Sequence, residues 1–291
     1  MTIFPTNFTI KELRVHFSTD DQCLEYLFDT KYKTATNCPK CNRTFNYSRV
    51  KERRAYQCNH CNNMISPTAS TIFHKSETQL NLWFYAIFLF CVSKNGVSAK
   101  ELQRQTGVTY KTAWRMAFQI RTLFADDNDT LKGTVEIDEA YLGGKEDKKH
   151  ESKKHGHKGS QGKTAVIGAV ERGGNVRARV VDDTTRNEVT PFVRGKIAID
   201  ATVFTDEYVS YDNLSNLGYR HEQVNHSKKV YVDGNTHTNT IEGFWSQLKR
   251  SIDGTYHMVA PKHLQQYVNE FAWRYNRRNS KGLFLELVGR V

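Results

Sequence analysis

Two Cys-x-x-Cys pairs constrain this chain more than any other feature of it. Cys38 and Cys41 form the first ("CPKC") and Cys58 and Cys61 the second ("CNHC"), with 16 residues between Cys41 and Cys58. Each pair is a tight turn whose two sulfurs converge. Two such turns at this separation close a tetrahedral four-thiolate site for zinc. The intervening "RTFNYSRVKERRAYQ" alternates enough to form a hairpin, so the segment reads as a zinc ribbon. A closed four-thiolate site leaves no position for a substrate, which makes the Zn²⁺ structural. His60 and His74 are further ligand types in the neighbourhood, but four cysteines already satisfy the ion. Cys23 and Cys91 lie on apolar helical runs and read as buried thiols.

The six cysteines stand without an N-terminal basic region followed by a long apolar run, so no secretory leader is expected and reduced thiols are. The most apolar stretch, "LNLWFYAIFLFCV" at 80–92, falls short of the roughly 20 residues that span a bilayer and reads as a buried helix, with no membrane partner. The net charge of +11 (42 basic, 31 acidic residues) points to a polyanionic partner, with nucleic acid the leading candidate. A bacterial cytoplasmic, nucleoid-associated protein is the expectation, or a nuclear one if the source is eukaryotic.

The pattern along the chain changes three times. "STDDQCLEYLFDTKY" reads as a capped helix leading into the ribbon. Residues 76–125 are helical. Strand-like runs follow, "TVEIDEAYL", "TAVIGAVER" and "NVRARVVDD" as a meander, then a helical stretch and a fourth strand, "ATVFTDEY". After residue 236 the pattern is helical again. That order suits a mixed α/β sheet. The expected modules are 1–75 (helical lead-in and ribbon), 76–128 (helical module) and 129–291.

"GVSAKELQRQTGVTYKTAWRMAFQIRTLF" at 96–124 reads as helix, short glycine turn, helix. Ser98 and Glu101 suggest a capping box, and Thr109 a cap for the second helix. Val108, Ala113, Met116, Ala117 and Ile120 would hold the pair together. In a helix-turn-helix, Tyr110, Lys111, Thr112 and Arg115 would meet the major groove; the alternative is an ordinary helical hairpin.

Acids at the end of a buried strand are costly unless paired, hydrated or bound to a cation. Asp206 ends the fourth strand in this way. Asp138 sits late in the first strand, flanked by Glu136 and Glu139, which are expected on the strand's other face. Glu242 opens a helix, and Lys249 follows it by seven positions, about two turns, on the same helical face. Two basic segments complete the picture. The run "KEDKKHESKKHGHKGSQGK", 145–163, holds seven lysines, among them Lys148, Lys149, Lys153 and Lys154. It reads as an exposed segment for DNA-backbone contact or as a solvated loop. "WRYNRRNS" near the C-terminus reads as core aromatics with exposed Arg274, Arg277 and Arg278.

Asp138, Asp206, then Glu242 after 35 intervening residues and Lys249 seven later resemble the DDE transposases and retroviral integrases. With the ribbon, the helical pair, "EIDEAYLGG" and "NTIEGFWSQLKR", the chain resembles bacterial insertion-sequence transposases related to the Merlin elements, from about residue 20 to 280. The resemblance implies a multi-domain α/β protein: ribbon, helix-turn-helix-like module, and a ribonuclease-H-like mixed-sheet catalytic domain. It implies Asp138, Asp206 and Glu242 as ligands of two catalytic Mg²⁺ ions, with Asn239 as an alternative third residue because some members carry Asn there. Lys249 would contact DNA phosphate. Related families carry an Arg four residues before the Glu, where this chain has Thr238. The implied partners are double-stranded DNA, both terminal inverted repeats and target, and a second copy in a homodimer or higher assembly. The implied activity is cleavage of element ends and joining of the 3′ hydroxyl to target. A catalytically silent DNA-binding regulator and a ribonuclease-H-like nuclease are the alternatives.

Overall fold

The computed structural model describes residues 8–125, 129–143, 162–223 and 237–291. The chain forms two compact units, one of residues up to Leu123 together with Ser280–Val291, the other Phe124–Asn279.

The first unit begins with two short helices, α1 (Ile10–His16) and α2 (Asp20–Tyr32), each opened by a full capping box: Thr9 with Glu12, and Thr19 with Gln22. The ribbon follows as β1 (Tyr47–Val50), β2 (Ala55–Cys58) and β3 (Met64–Ile65), antiparallel in that order. Helix α3 (Leu80–Val92) is apolar on nearly every face and buries Trp83, Phe84, Ile87 and Phe90, as a helix enclosed by its neighbours must. Helices α4 (Ala99–Thr106) and α5 (Tyr110–Thr122) are joined by Gly107 at φ +71°, the left-handed conformation that glycine adopts without penalty.

The second unit is built on a five-stranded sheet. β4 (Thr134–Leu142), β5 (Thr164–Glu171) and β6 (Val176–Val181) form the antiparallel meander. Helix α6 (Arg186–Lys196) then leads to β7 (Thr202–Thr205), which pairs parallel to β4, and β8 (Arg220–Gln223), which pairs parallel to β7. The strand order is β6-β5-β4-β7-β8. One face of the sheet buries Val135, Ile137 and Ile167 against Val189, Phe192 and Val193 of α6. The other buries Ala140, Val166 and Val170 against α7 (Asn239–Ser251) and α8 (Pro261–Asn276), through Ile241, Trp245, Leu248 and Val268. Helices on both faces of a mixed sheet in this order make the unit ribonuclease-H-like, and with the ribbon give a multi-domain α/β chain.

Helix α8 also covers the β6 edge. Asn276 accepts from Val176 N and donates to its carbonyl, and Gln265 accepts from Val180 N. An edge covered by side chains cannot pair with another strand. Arg274 differs from expectation: its guanidinium is tied to the wholly buried Glu270 at 2.9 Å, since a buried carboxylate requires a partner. Trp273 is core and Arg278 exposed, as expected.

The chain then returns to the first unit as α9 (Leu283–Val288), where Phe284 stacks on Phe8 at 4.5 Å and meets Phe17, Phe84 and Phe88. Among the described residues no helix is long and apolar enough to cross a membrane.

Candidate functional site

The four cysteines converge. Their sulfurs all lie within 4.8 Å of one another, with Cys38–Cys61 at 3.8 Å and Cys41–Cys58 at 4.0 Å. A tetrahedron with Zn–S bonds of about 2.3 Å has edges of about 3.8 Å, so the donor set fits a structural Zn²⁺. Tyr47 Oη lies 3.1 Å from Cys38 Sγ, placed there because Tyr47 pairs with Cys58 across the hairpin. Two of the ribbon's arginines are held inside its own unit. Arg49 binds Asp21, and Arg54 binds Asp20 and the Ser76 and Thr78 carbonyls. Arg43, Lys51 and Arg53 remain exposed.

On the helical pair, Ser98 accepts from Glu101 N, and Thr109 accepts from Thr112 N. Only half of the expected capping box at Ser98 forms, because the Glu101 carboxylate turns to Arg104 and Gln105 instead. Ala113, Met116, Ala117 and Ile120 are buried and Val108 half-buried. Tyr110, Lys111 and Arg115 lie exposed along one side of α5, with Thr112 half-buried. Sequence reasoning missed Trp114, which is 44% exposed on that side and stacks on Phe118; its offset of four from Tyr110 is the signal that could have found it.

The acids come from three elements. Glu136 pairs with Phe204 in the parallel β4–β7 ladder. That pair is the last of the ladder; Asp138 lies two residues further along β4, and Asp206 directly follows the end of β7. Asp206 Oδ1 accepts from Tyr208 N at 3.0 Å, which fixes the turn that ends the strand. On its other side Asp138 pairs with Gly168 of β5. Helix α7 crosses there: a Cβ at Gly168 would stand 2.5 Å from Trp245 Cζ2, so only glycine lets the helix approach this closely. Glu242 is in the first turn of α7, exposed, and accepts from Thr238 Oγ1 at 3.0 Å.

The charges of its neighbours act on Asp138. Burial, then the charges of Glu139, Asp206 and Glu242, push Asp138 up to about 7, against a backbone N–H that pulls the other way. Burial also raises Glu139, whose Oε2 accepts from the buried Tyr211 hydroxyl at 2.6 Å on the α6 face. The oxygens of Asp138, Asp206 and Glu242 are not drawn into one cluster. Among the described residues only the cysteines have three or more ligand atoms within 4.8 Å of one another. Like charges about 4 Å apart repel by about 4 kcal/mol near a protein surface. An all-carboxylate donor set on three adjoining elements suits a hard divalent cation such as Mg²⁺.

One expectation is corrected. Glu136 is not on the face opposite Asp138. The two-residue strand period puts both on the same face, and Glu136 is wholly buried there. Its carboxylate receives Thr240 N, Ile241 N, Thr240 Oγ1 and Arg172 Nε. His237 Nδ1 lies 3.2 Å away. Asn239, the alternative third residue, is exposed at the first position of α7, and Lys249 is exposed two turns beyond Glu242. Lys148, Lys149, Lys153 and Lys154 lie outside the described residues.

A ribonuclease-H-like mixed sheet with carboxylates on adjoining strands and helix, preceded by a zinc ribbon, suits a nucleic-acid-processing protein, and comparison with known families agrees. Residues 130–276 match the ISXO2-like transposase domain and residues 18–64 the transposase zinc-ribbon domain. The chain belongs to the ISXO2-like transposase family. It is 24% identical over 271 residues to an uncharacterized protein in transposable element ISH50 of Halobacterium salinarum, covering 89% of this chain and 91% of that protein. It is 29% identical over 102 residues to an uncharacterized transposase-like protein of Haemophilus influenzae, covering 35% of this chain and 81% of that one. Against a solved simian T-cell lymphotropic virus intasome in complex with PP2A regulatory subunit B56 gamma, the TM-score is 0.31 at 12% identity, with 66% of this chain and 67% of that one covered.

Proposed function

We infer that this chain is a Mg²⁺-dependent cut-and-paste DNA transposase. The observation that carries the reading is the placement of Asp138 on β4 and Asp206 at the end of the adjoining β7, with Glu242 in the first turn of the helix packed against the sheet beside them. Asp138, Asp206 and Glu242 would hold two Mg²⁺ ions, which when bound activate the attacking oxygen and stabilise the leaving one. Glu242 is preferred to Asn239 as the third residue because a hard divalent cation favours a carboxylate over a neutral amide.

In the first reaction water attacks the phosphorus at the element's end. The bond to the 3′ oxygen breaks, leaving a 3′ hydroxyl on the element. In the second that hydroxyl attacks a target phosphodiester, forming one P–O bond and breaking another. Lys249, on the face of α7 that carries Glu242, steadies the backbone phosphates, as do Lys148, Lys149, Lys153 and Lys154. The ribbon module (1–75) and the helical module (76–128) recognise the terminal repeats, with Tyr110, Lys111, Thr112 and Arg115 turned to the major groove. The domain from 129 does the chemistry. Joining requires two ends held together, so a homodimer or larger assembly forms on DNA, in the bacterial cytoplasm.

The test is excision from a plasmid carrying the gene's own flanking DNA, with Mg²⁺ and the purified protein, read by sequencing the junctions. Wild type should excise and join, and Asp206→Asn should do neither. Tight DNA binding without cleavage by the wild type would point to a silent regulator. Cleavage without joining would point to a nuclease.

A further inference from the structure

Glu136 has no part in the reaction as proposed, yet it is wholly buried two residues from Asp138. Its Oε2 accepts from Thr240 N at 2.8 Å and Ile241 N at 3.0 Å. Those are the second and third residues of α7. The first N–H groups of a helix lack intrahelical partners and form the positive end of its dipole, where an anion is favoured. The residue before a helix usually supplies the partner, from extended backbone. Thr238 is not extended (φ −116°, ψ 19°), and its hydroxyl donates to Glu242 instead. The cap of α7 therefore comes from another element, the strand that carries Asp138.

Arg172 completes the joint. Nε donates to Glu136 Oε1 at 2.7 Å and Nη2 to the His237 carbonyl at 2.8 Å. The guanidinium sits 4.7 Å from the ring centroid of Phe204, two residues before Asp206. One carboxylate and its arginine thus join β4, β7 and α7, the three elements whose residues are the candidate acids. Trp245 on Gly168 limits how close α7 comes to the sheet. The Glu136 cap fixes where the helix begins along its axis. Each residue of slip would move Glu242 about 1.5 Å and turn it about 100°.

We propose that Glu136 is a positioning residue that anchors the N-terminus of α7, sets Glu242 over Asp138 and Asp206, and thereby sets the divalent-cation affinity of the site. This rests on the transposase reading above. Glutamine is a poor replacement: its single acceptor oxygen cannot serve both sets of donors, and its NH₂ must face one of them.

The test is a titration of the full-length, zinc-loaded protein with Tb³⁺ alone, without DNA, read by luminescence excited through Trp245. Glu136→Gln should weaken Tb³⁺ binding about tenfold or more, in the range seen for outer-shell partners of metal ligands. Thr240→Val, which deletes only the hydroxyl bond to Glu136, should weaken it less, about threefold, and is read if the buried substitution unfolds the domain. A folded Glu136→Gln protein with wild-type affinity overturns the proposal and leaves an ordinary helix cap. Wild-type affinity in Thr240→Val, where that is the variant read, does the same. Amide exchange separates this from failure of the transposase reading. Thr240 and Ile241 should exchange as slowly as mid-helix amides in the wild type, and fast exchange overturns the proposal outright. If instead Asp138→Asn binds Tb³⁺ as the wild type does, with those amides protected, the transposase reading has failed and the positioning role with it.

Discussion

Asp138 ionises near pH 7 because its surroundings disfavour charge twice, by burial and by Glu139, Asp206 and Glu242. An acid whose folded value lies above its ordinary value, about 3.9, holds more protons folded than unfolded in between. Its contribution to stability is therefore present below about pH 4 and lost as pH rises through about 7. Without added divalent cation, stability should fall across that window by up to about 1.4 kcal/mol per pH unit from this group. Urea midpoints measured across it should show the decline, and Asp138→Asn should flatten it; parallel profiles for the two proteins would refute the assignment. Asp206 was legible because an acid at the end of an apolar strand calls for a partner, and Asp138 because of its spacing from Asp206 and Glu242, although it lies in the middle of β4 rather than late in it. Glu136 was not. Its neighbours in the sequence are apolar, and the donors that receive it belong to Arg172 and α7, far along the chain. Only the folded register brings them together.

Among the elements, the ribbon was the easiest to read, since thiolate spacing dictates its geometry directly. The capped helices were legible for a similar local reason: Thr19, Ser98 and Thr109 each accept from a first-turn N–H. β8 was missed because "RHEQ" is polar and largely exposed, and nothing in those four residues favours a strand until β7 offers its edge. The coverage of β6 by Gln265 and Asn276 was equally invisible, as polar residues on a helix read as solvent-facing. The ribbon's three strands are short and held by four thiolates, so zinc should contribute its folding energy outright. Stripping the metal with a chelator should abolish the amide protection of β1–β3, and returning Zn²⁺ should restore it. Protection that persists in metal-free protein would show that the hairpin stands by its own packing.

At the scale of the whole molecule, the first unit is assembled from the two ends of the described chain. Phe284 packs against Phe8, Phe17, Phe84 and Phe88, all from the other end. Nothing in "LFLELV" announces this, because a short apolar helix can pack against any apolar surface. Removing a buried Phe typically costs about 3–5 kcal/mol. A chain ending at Asn279 should therefore lose stability in its first unit by at least that much. Exchange of the α3 amides measures the loss, and unchanged protection there would contradict the packing described. The same return of the chain has a consequence during synthesis. The ribosome makes α1 to α5 first, then the entire five-stranded domain, and only afterwards the residues that close the first unit's aromatic cluster. A message broken anywhere in the later half yields a fragment whose early helices lack their final partner. Prematurely terminated copies would then carry a first unit less stable than that of finished copies, with its early helices open to proteolysis.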